Sequence, residues 1–498
     1  MKKYLFLILV VVFTLLAFSC PTDEIEPVFG NFWAINLRTD RPYRVNADLM
    51  AEGIYCKVWA EKGSGITKAK AKEIADEFDD NIYEKMINAF GIEIDYDMII
   101  GAFGEENVSG IEKNEKFNTM EFADVLGDGD GKLCILLLDI KDNYKEGVND
   151  SYTAGYFWSG DFLSVYGSNS RDMIYIDTNP GMQTPDTIDK AFTTLAHEMQ
   201  HLMNFVTNYV KRSEKKGNTI YIHSMDTWID EGLSSAAEWI YSSVHTDFNW
   251  KWYNLSNDYG LIYKGNNFFI WGNRGNESQY AILDDYATVY MFFQWLRLQS
   301  GNNKIYKDII LSDKSNYTAV TTAASDNIKA NYSWGDLLGD WLAANFLNEE
   351  TGRFGYMNDE TLKQIKAPYA PAVSSMQLFP GEGVYSYSNS AYFPNSAANI
   401  KYAGLSSSGI SQSISAGDTL LTYNINTDNT KPAESGTTTG AEPPAPPSPN
   451  VSISGSRSAV NSGIPVLKGP FPIGAEGLNK EKEINFSGFT FQNTGKEK

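Results

Sequence analysis

Cysteine, histidine and positive charge are all scarce in this chain of 498 residues, and each scarcity closes off a class of function. The 3 cysteines are too few for a disulfide framework or a four-cysteine metal site. Only 41 Lys and Arg stand against 62 Asp and Glu, for a net charge of −21. A surface of that sign lacks the basic face a nucleic-acid partner needs, and its plain consequence is solubility. Beyond Cys20 no apolar run approaches the roughly 20 residues of a membrane span. Apolar and aromatic residues, by contrast, make up 42% and 13% of the chain, enough for at least one large core and for two or more domains.

The one long apolar run is at the start, where Lys2 and Lys3 precede an uncharged stretch from Tyr4 to Phe18 and then Ser19-Cys20. This reads as a secretory signal over residues 1–19, too short for a good span and followed by the polar Pro21-Thr22-Asp23-Glu24. Its end resembles a bacterial lipoprotein signal, with Cys20 as the lipidated first residue. Ala17-Phe18-Ser19 also fits ordinary signal-peptidase cleavage. The chain is therefore expected to be exported, either as a cell-envelope lipoprotein held to the membrane through Cys20 or as a secreted protein. Cys56 and Cys134 then remain, each in a strand-like run, as two small buried hydrophobes or as one disulfide.

Short aromatic and β-branched runs at 32–37 and 54–59 predict strands, and apolar recurrence at three and four predicts a helix over 67–90, closed by Gly91. Central strands are expected at 133–140 and 173–177. A long helix is expected at 187–210, with capping chemistry from Pro185-Asp186-Thr187. Further helices are expected at 231–244, 284–298 and 334–347, the last capped by Ser333. Residues 245–281 form an aromatic insertion, read as ordered because disordered segments lack aromatics. It either packs or walls a cleft. Past Pro371 the texture turns to short Ser/Tyr/Gly-rich stretches, then to a Pro-rich run over 427–465, and a last strand is expected within 484–491.

Inside the long helix stands His197-Glu198-Met199-Gln200-His201, an H-E-x-x-H pattern. Two histidines at i and i+4 share one helix face and converge on one metal ion, while Glu198 flanks it as a general base. At this chain's own frequencies chance gives about 0.002 such patterns. A third ligand is needed, and the extended motif with a further histidine fails because Asn204 and Thr207 occupy the required positions. The segment Trp228-Ile229-Asp230-Glu231-Gly232 resembles the gluzincin metalloproteases, in which a second helix presents a zinc-binding glutamate. That resemblance implies Glu231 as third ligand, with Glu238 beside one histidine. Asp230, His223 and His245 remain rival ligands.

From about Phe32 to Leu347 the chain resembles the hyicolysin-type neutral metalloproteases of bacteria. The pieces that carry the likeness are Phe78-Asp79, Ile82-Tyr83 and Phe90-Gly91, the strand after Gly129-Asp130-Gly131, Gly155-Tyr156-Phe157 with Asp161, Ser168-Asn169, Tyr175-Ile176-Asp177, the H-E-x-x-H helix and Glu231-Gly232. The resemblance implies an α+β zincin-type fold, a mixed sheet with an active-site helix and a helical subdomain. It also implies one catalytic Zn2+ and extracellular endopeptidase activity on protein or peptide substrates. Tyr286 resembles the family's donor to the developing oxyanion; Tyr290, one turn on, is the alternative.

The expected organisation is a signal at 1–19, a tether at 20–30, the metallopeptidase domain at 31–370, a small β domain at 371–426, a linker at 427–465 and a tail at 466–498. Asp124 to Gly131 reads as an acidic tight turn or, alternatively, as a Ca2+ loop. The contrasting functional reading is a surface lipoprotein using the same fold as an adhesin or antigen. An aminopeptidase is a third.

Overall fold

The computed structural model describes residues 29–427 apart from breaks, the longest at 255–267, 272–280, 368–376, 388–398 and 412–418, together with 433–434, 466–468 and 484–485. The signal region and most of the Pro-rich run lie outside these residues. No helix among the described residues is long and apolar enough to cross a membrane.

A six-stranded mixed sheet organises the first half of the chain. Its strands are β1 (Phe29–Asn36), β2 (Arg41–Glu52), β3 (Cys56–Glu61), β4 (Leu133–Leu138), β5 (Gly155–Phe157) and β6 (Met173–Asp177), in the spatial order β1-β2-β3-β4-β6-β5. β3, β4 and β6 run parallel, whereas β5 pairs antiparallel with β6 and forms an edge. The unbroken apolar run of β4 follows from burial on both faces. Leu133, Ile135 and Leu137 enter the core beneath the helices, and Cys134, Leu136 and Leu138 enter a second core against β1 and β2. Cys56 and Cys134 are buried free thiols.

The helix expected over 67–90 is in fact two, α1 (Lys68–Glu77) and α2 (Tyr83–Phe90), joined by a wider π turn at Phe78–Ile82. That turn directs the Asp79 carboxylate to the backbone N–H groups of Ile54 and Tyr55, capping the bend before β3. β2 was not anticipated, nor were the helices Tyr96–Phe103, Thr119–Leu126, Lys304–Leu311 and Tyr317–Asn327.

Three long helices carry the site: α3 (Pro185–Lys211), α4 (Thr227–Ser242) and α5 (Ala281–Ser300). The side chains expected to cap α3 lie outside those described. α4 starts four residues before its expected position, so Glu231 sits one turn inside it. A further helix, α6 (Trp334–Leu347), has Ser333 as its N-cap, the Oγ accepting from the Asp336 backbone N–H at 3.1 Å.

The late β segment is a four-stranded sheet ordered Gly383–Tyr387, Thr419–Asn424, Ile400–Ser406, Gly409–Ser411. It packs on α6, with the Tyr385 hydroxyl donating to the Leu342 carbonyl at 2.7 Å. Leu405 and Leu421 share one core with α6 and α3. Within the expected linker, Ala433–Glu434 pairs with Gln377–Leu378. In the tail Ile484–Asn485 pairs with Thr219–Ile222, and Val466–Lys468 with Ser151–Thr153.

Candidate metal centre

Between Leu195 and Val210, α3 is buried all round, so its polar residues lie in the interior as well as its apolar ones. Buried polar groups are costly unless partnered, and most here have partners. The Ser234 hydroxyl meets Gln200, the Asn204 amide meets Asp230, and the Thr207 hydroxyl bonds the Met203 carbonyl at 2.9 Å. The first two of these partners come from α4, and two glycines allow the elements around the site to pack closely. A Cβ on Gly232 would lie 2.3 Å from the Phe293 ring on α5, and one on Gly155 would lie 2.8 Å from the Thr194 methyl on α3. Larger residues at these points would push the second helix or the edge strand off the site.

Several of the unpartnered atoms converge on one point. His197 Nε2, His201 Nε2 and both Glu231 carboxylate oxygens are buried without a hydrogen-bond partner. Glu231 Oε2 stands 3.5 Å from His197 Nε2 and 3.6 Å from His201 Nε2, and one ligand atom from each of the three residues lies within 4.8 Å of the others. Zinc bonds of 2.0–2.1 Å in a tetrahedron put neighbouring ligand atoms about 3.3 Å apart, so the donor set fits that ion in type and spacing.

The opposite ring nitrogens are each claimed by a carboxylate. His197 Nδ1 is 2.9 Å from Glu238 Oε1, and His201 Nδ1 is 3.0 Å from Asp230 Oδ2. Donation from Nδ1–H leaves Nε2 as the lone-pair atom in both rings, the tautomer that metal binding requires. The Ser234 hydroxyl stands 3.0 Å from His201 Nδ1 as well.

The electrostatics favour positive charge at the junction. Burial alone would lower the His197 pKa, but the Glu231 carboxylate nearby and the hydrogen bond to Glu238 outweigh it and raise the value to about 9. His201 is likewise raised against the pull of burial, by Asp230 and Glu231. Burial would raise Glu231, yet the two imidazoles bring it down to about 2. A cation replaces those protons at no cost in geometry.

Glu198 is fully buried, and neither carboxylate oxygen has a hydrogen-bond partner. Burial raises it to about 7, with the two histidines and the Phe157 backbone amide acting in the other direction. The Tyr286 hydroxyl faces Glu231 from α5; burial, then the charges of Glu231 and Glu198, hold its pKa well above 10, so it stays a hydrogen donor. Tyr290 is turned elsewhere, its hydroxyl 2.7 Å from His245 Nδ1, and His245 Nε2 is 3.1 Å from Asp359. Of the rival ligands, His245 is held in that separate network, His223 is exposed and 3.8 Å from Glu214, and Asp230 lies behind His201 instead of beside Glu231. Ser234 and Gln200 were missed by sequence reasoning. Their only signal is the i+4 step from Asp230 to Ser234.

The aromatic insertion divides in two. Phe268 is buried among Trp228, Trp334 and Trp341, whereas Trp271 is half-buried with its ring 5.0 Å from that of Tyr286.

A helix presenting His-Glu-x-x-His beside a second helix that supplies glutamate is an arrangement that could hold a metal ion, and the chain is similar to a metalloprotease. Neutral metalloprotease ShpI of Staphylococcus hyicus is 31% identical over 339 residues, 67% of this chain and 66% of the relative. The chain thus spans about two thirds of that relative's length. No protein-family profile matches the chain.

Proposed function

We propose that this chain is an exported, zinc-dependent endopeptidase acting on protein or peptide substrates. The observation that carries the reading is the convergence of His197 Nε2, His201 Nε2 and Glu231 with Glu198 alongside them. His197, His201 and Glu231 would hold one zinc ion, which when bound acidifies a water and polarises a carbonyl.

The remaining work belongs to the chain's own groups. The Glu198 carboxylate accepts a proton from the attacking water and returns it to the departing amine, a task suited to a group poised near neutrality. Tyr286, kept protonated, donates to the oxygen that gains charge in the transition state. The edge strand Gly155–Phe157, whose Phe157 backbone amide acts on Glu198, would pair with an extended peptide, which favours cleavage within chains. Asp230 and Glu238 fix the two imidazoles. The signal at 1–19 supports export, with lipidation of Cys20 as the anchored form.

The test is hydrolysis of casein or a quenched peptide, with and without chelator, beside Glu198→Gln. Turnover should be chelator-sensitive and fall about 10²–10⁴-fold in the variant, with zinc content unchanged. Near-wild-type turnover in Glu198→Gln overturns the mechanism. A folded, zinc-loaded wild type that cleaves nothing favours the adhesin or antigen reading instead.

A further inference from the structure

A second cluster of carboxylates lies at the other functional extreme of the sheet, where the parallel strands begin. Oxygens of Asp124, Asp128 and Asp130 lie within 4.8 Å of one another, the span of two Ca–O bonds of about 2.4 Å in line. Positive φ at Gly129 and Gly131, 68° and 83°, turns the loop, and the Gly131 backbone N–H donates to Asp124 Oδ1 at 2.7 Å.

Sequence spacing did not reveal a fourth carboxyl group, Asp172. It is 1% exposed, its Oδ1 has no hydrogen-bond partner, and that oxygen lies 3.0 Å from where a Cβ on Gly127 would stand, at the mouth of the same loop. Asp128 Oδ1 is also buried without a partner. Burial, followed by the charges of Asp124, Asp128 and Asp130, raises Asp172 well above the carboxylate range. Two cations are nearby, Lys57 at 2.6 Å from Asp130 and Arg171 at 3.0 Å from Asp128.

We propose that Asp124, Asp128 and Asp130, with the buried Asp172 beside Gly127 at their back, form a binding site for one Ca2+, separate from the zinc centre. All-oxygen donors on an irregular loop suit calcium over zinc, which prefers nitrogen and sulfur, and over magnesium, which demands a near-ideal octahedron. The loop leads directly into β4, Asp172 directly precedes β6, and Lys57 lies on β3. The ion therefore ties together the starts of two adjacent strands, β4 and β6, and stabilises the sheet without taking part in turnover. This inference does not depend on the peptidase reading, because its readout is binding.

The experiment uses the full zinc-loaded chain, equilibrium dialysis with 45Ca2+, and thermal melts in Ca2+ or Mg2+. The expected result is one Ca2+ per chain and a melting temperature about 2–4 °C higher at saturating Ca2+. Asp128→Asn and Asp172→Asn should each weaken binding at least tenfold and lose the shift while retaining zinc. If either folds poorly, the more exposed Asp130→Asn serves in its place. No Ca2+ bound at millimolar concentration, unchanged affinity in the variants, or an equal shift with Mg2+ would overturn the assignment.

Discussion

Each histidine of the pair gives one nitrogen to a carboxylate and keeps the other for the pocket, and that division makes Glu238 more than a packing residue. Its oxygen 2.9 Å from His197 Nδ1 sets the ring's tautomer and angle. Glu238→Gln should weaken zinc binding about 10–100-fold, read by competition with a chromophoric chelator, with little change in the melting temperature of the zinc-saturated protein. Such residues were unequally legible. His197, Glu198 and His201 are marked by spacing alone, and Glu238 by its place two turns after Glu231 on one face. Asp230 was visible only as a rival ligand, because adjacent carboxylates at the start of a helix look alike until their directions are known. Asp172 carried no sequence signal at all, since its role comes from burial beside a loop more than 40 positions earlier.

At the scale of elements, the pairing of α4 with α5 depends on the absence of a side chain at Gly232. A methyl group there meets Phe293 at 2.3 Å, so the ring or the helix must shift. Gly232→Ala should cost about 1–3 kcal/mol, measured as a lower urea midpoint. Turnover should fall as well, because Glu231 is the preceding residue. Strong periodicity made the long helices and the two central strands readable. β2 escaped because two of its four inward residues, Val45, Ala47, Leu49 and Ala51, are alanines that barely register as an apolar alternation. The break between α1 and α2 escaped because a π turn preserves the apolar side of a helix while inserting a residue, and only the backbone partners of Asp79 show why it is there.

At the scale of the molecule, composition marks a change of texture near 370, and apolar contacts run across it. Texture reports how a segment is built, whereas the contacts of Tyr385, Leu405 and Leu421 with the helical core depend on the fold around them. A chain ending at residue 370 would leave the sheet-facing side of α6 in water. Its melting temperature should lie below that of the full chain and its solubility should fall, both checked by melts and size-exclusion chromatography; an unchanged melt would show the late sheet to be an independent unit.

The placement of the histidine pair also has a consequence for time. His197 and His201 sit about three turns from either end of a helix 27 residues long, and helix ends fray over roughly one turn. Local opening at the ends therefore never reaches the pair. Their separation changes only when the surrounding core lets go, so the centre keeps its shape for as long as the molecule stays folded.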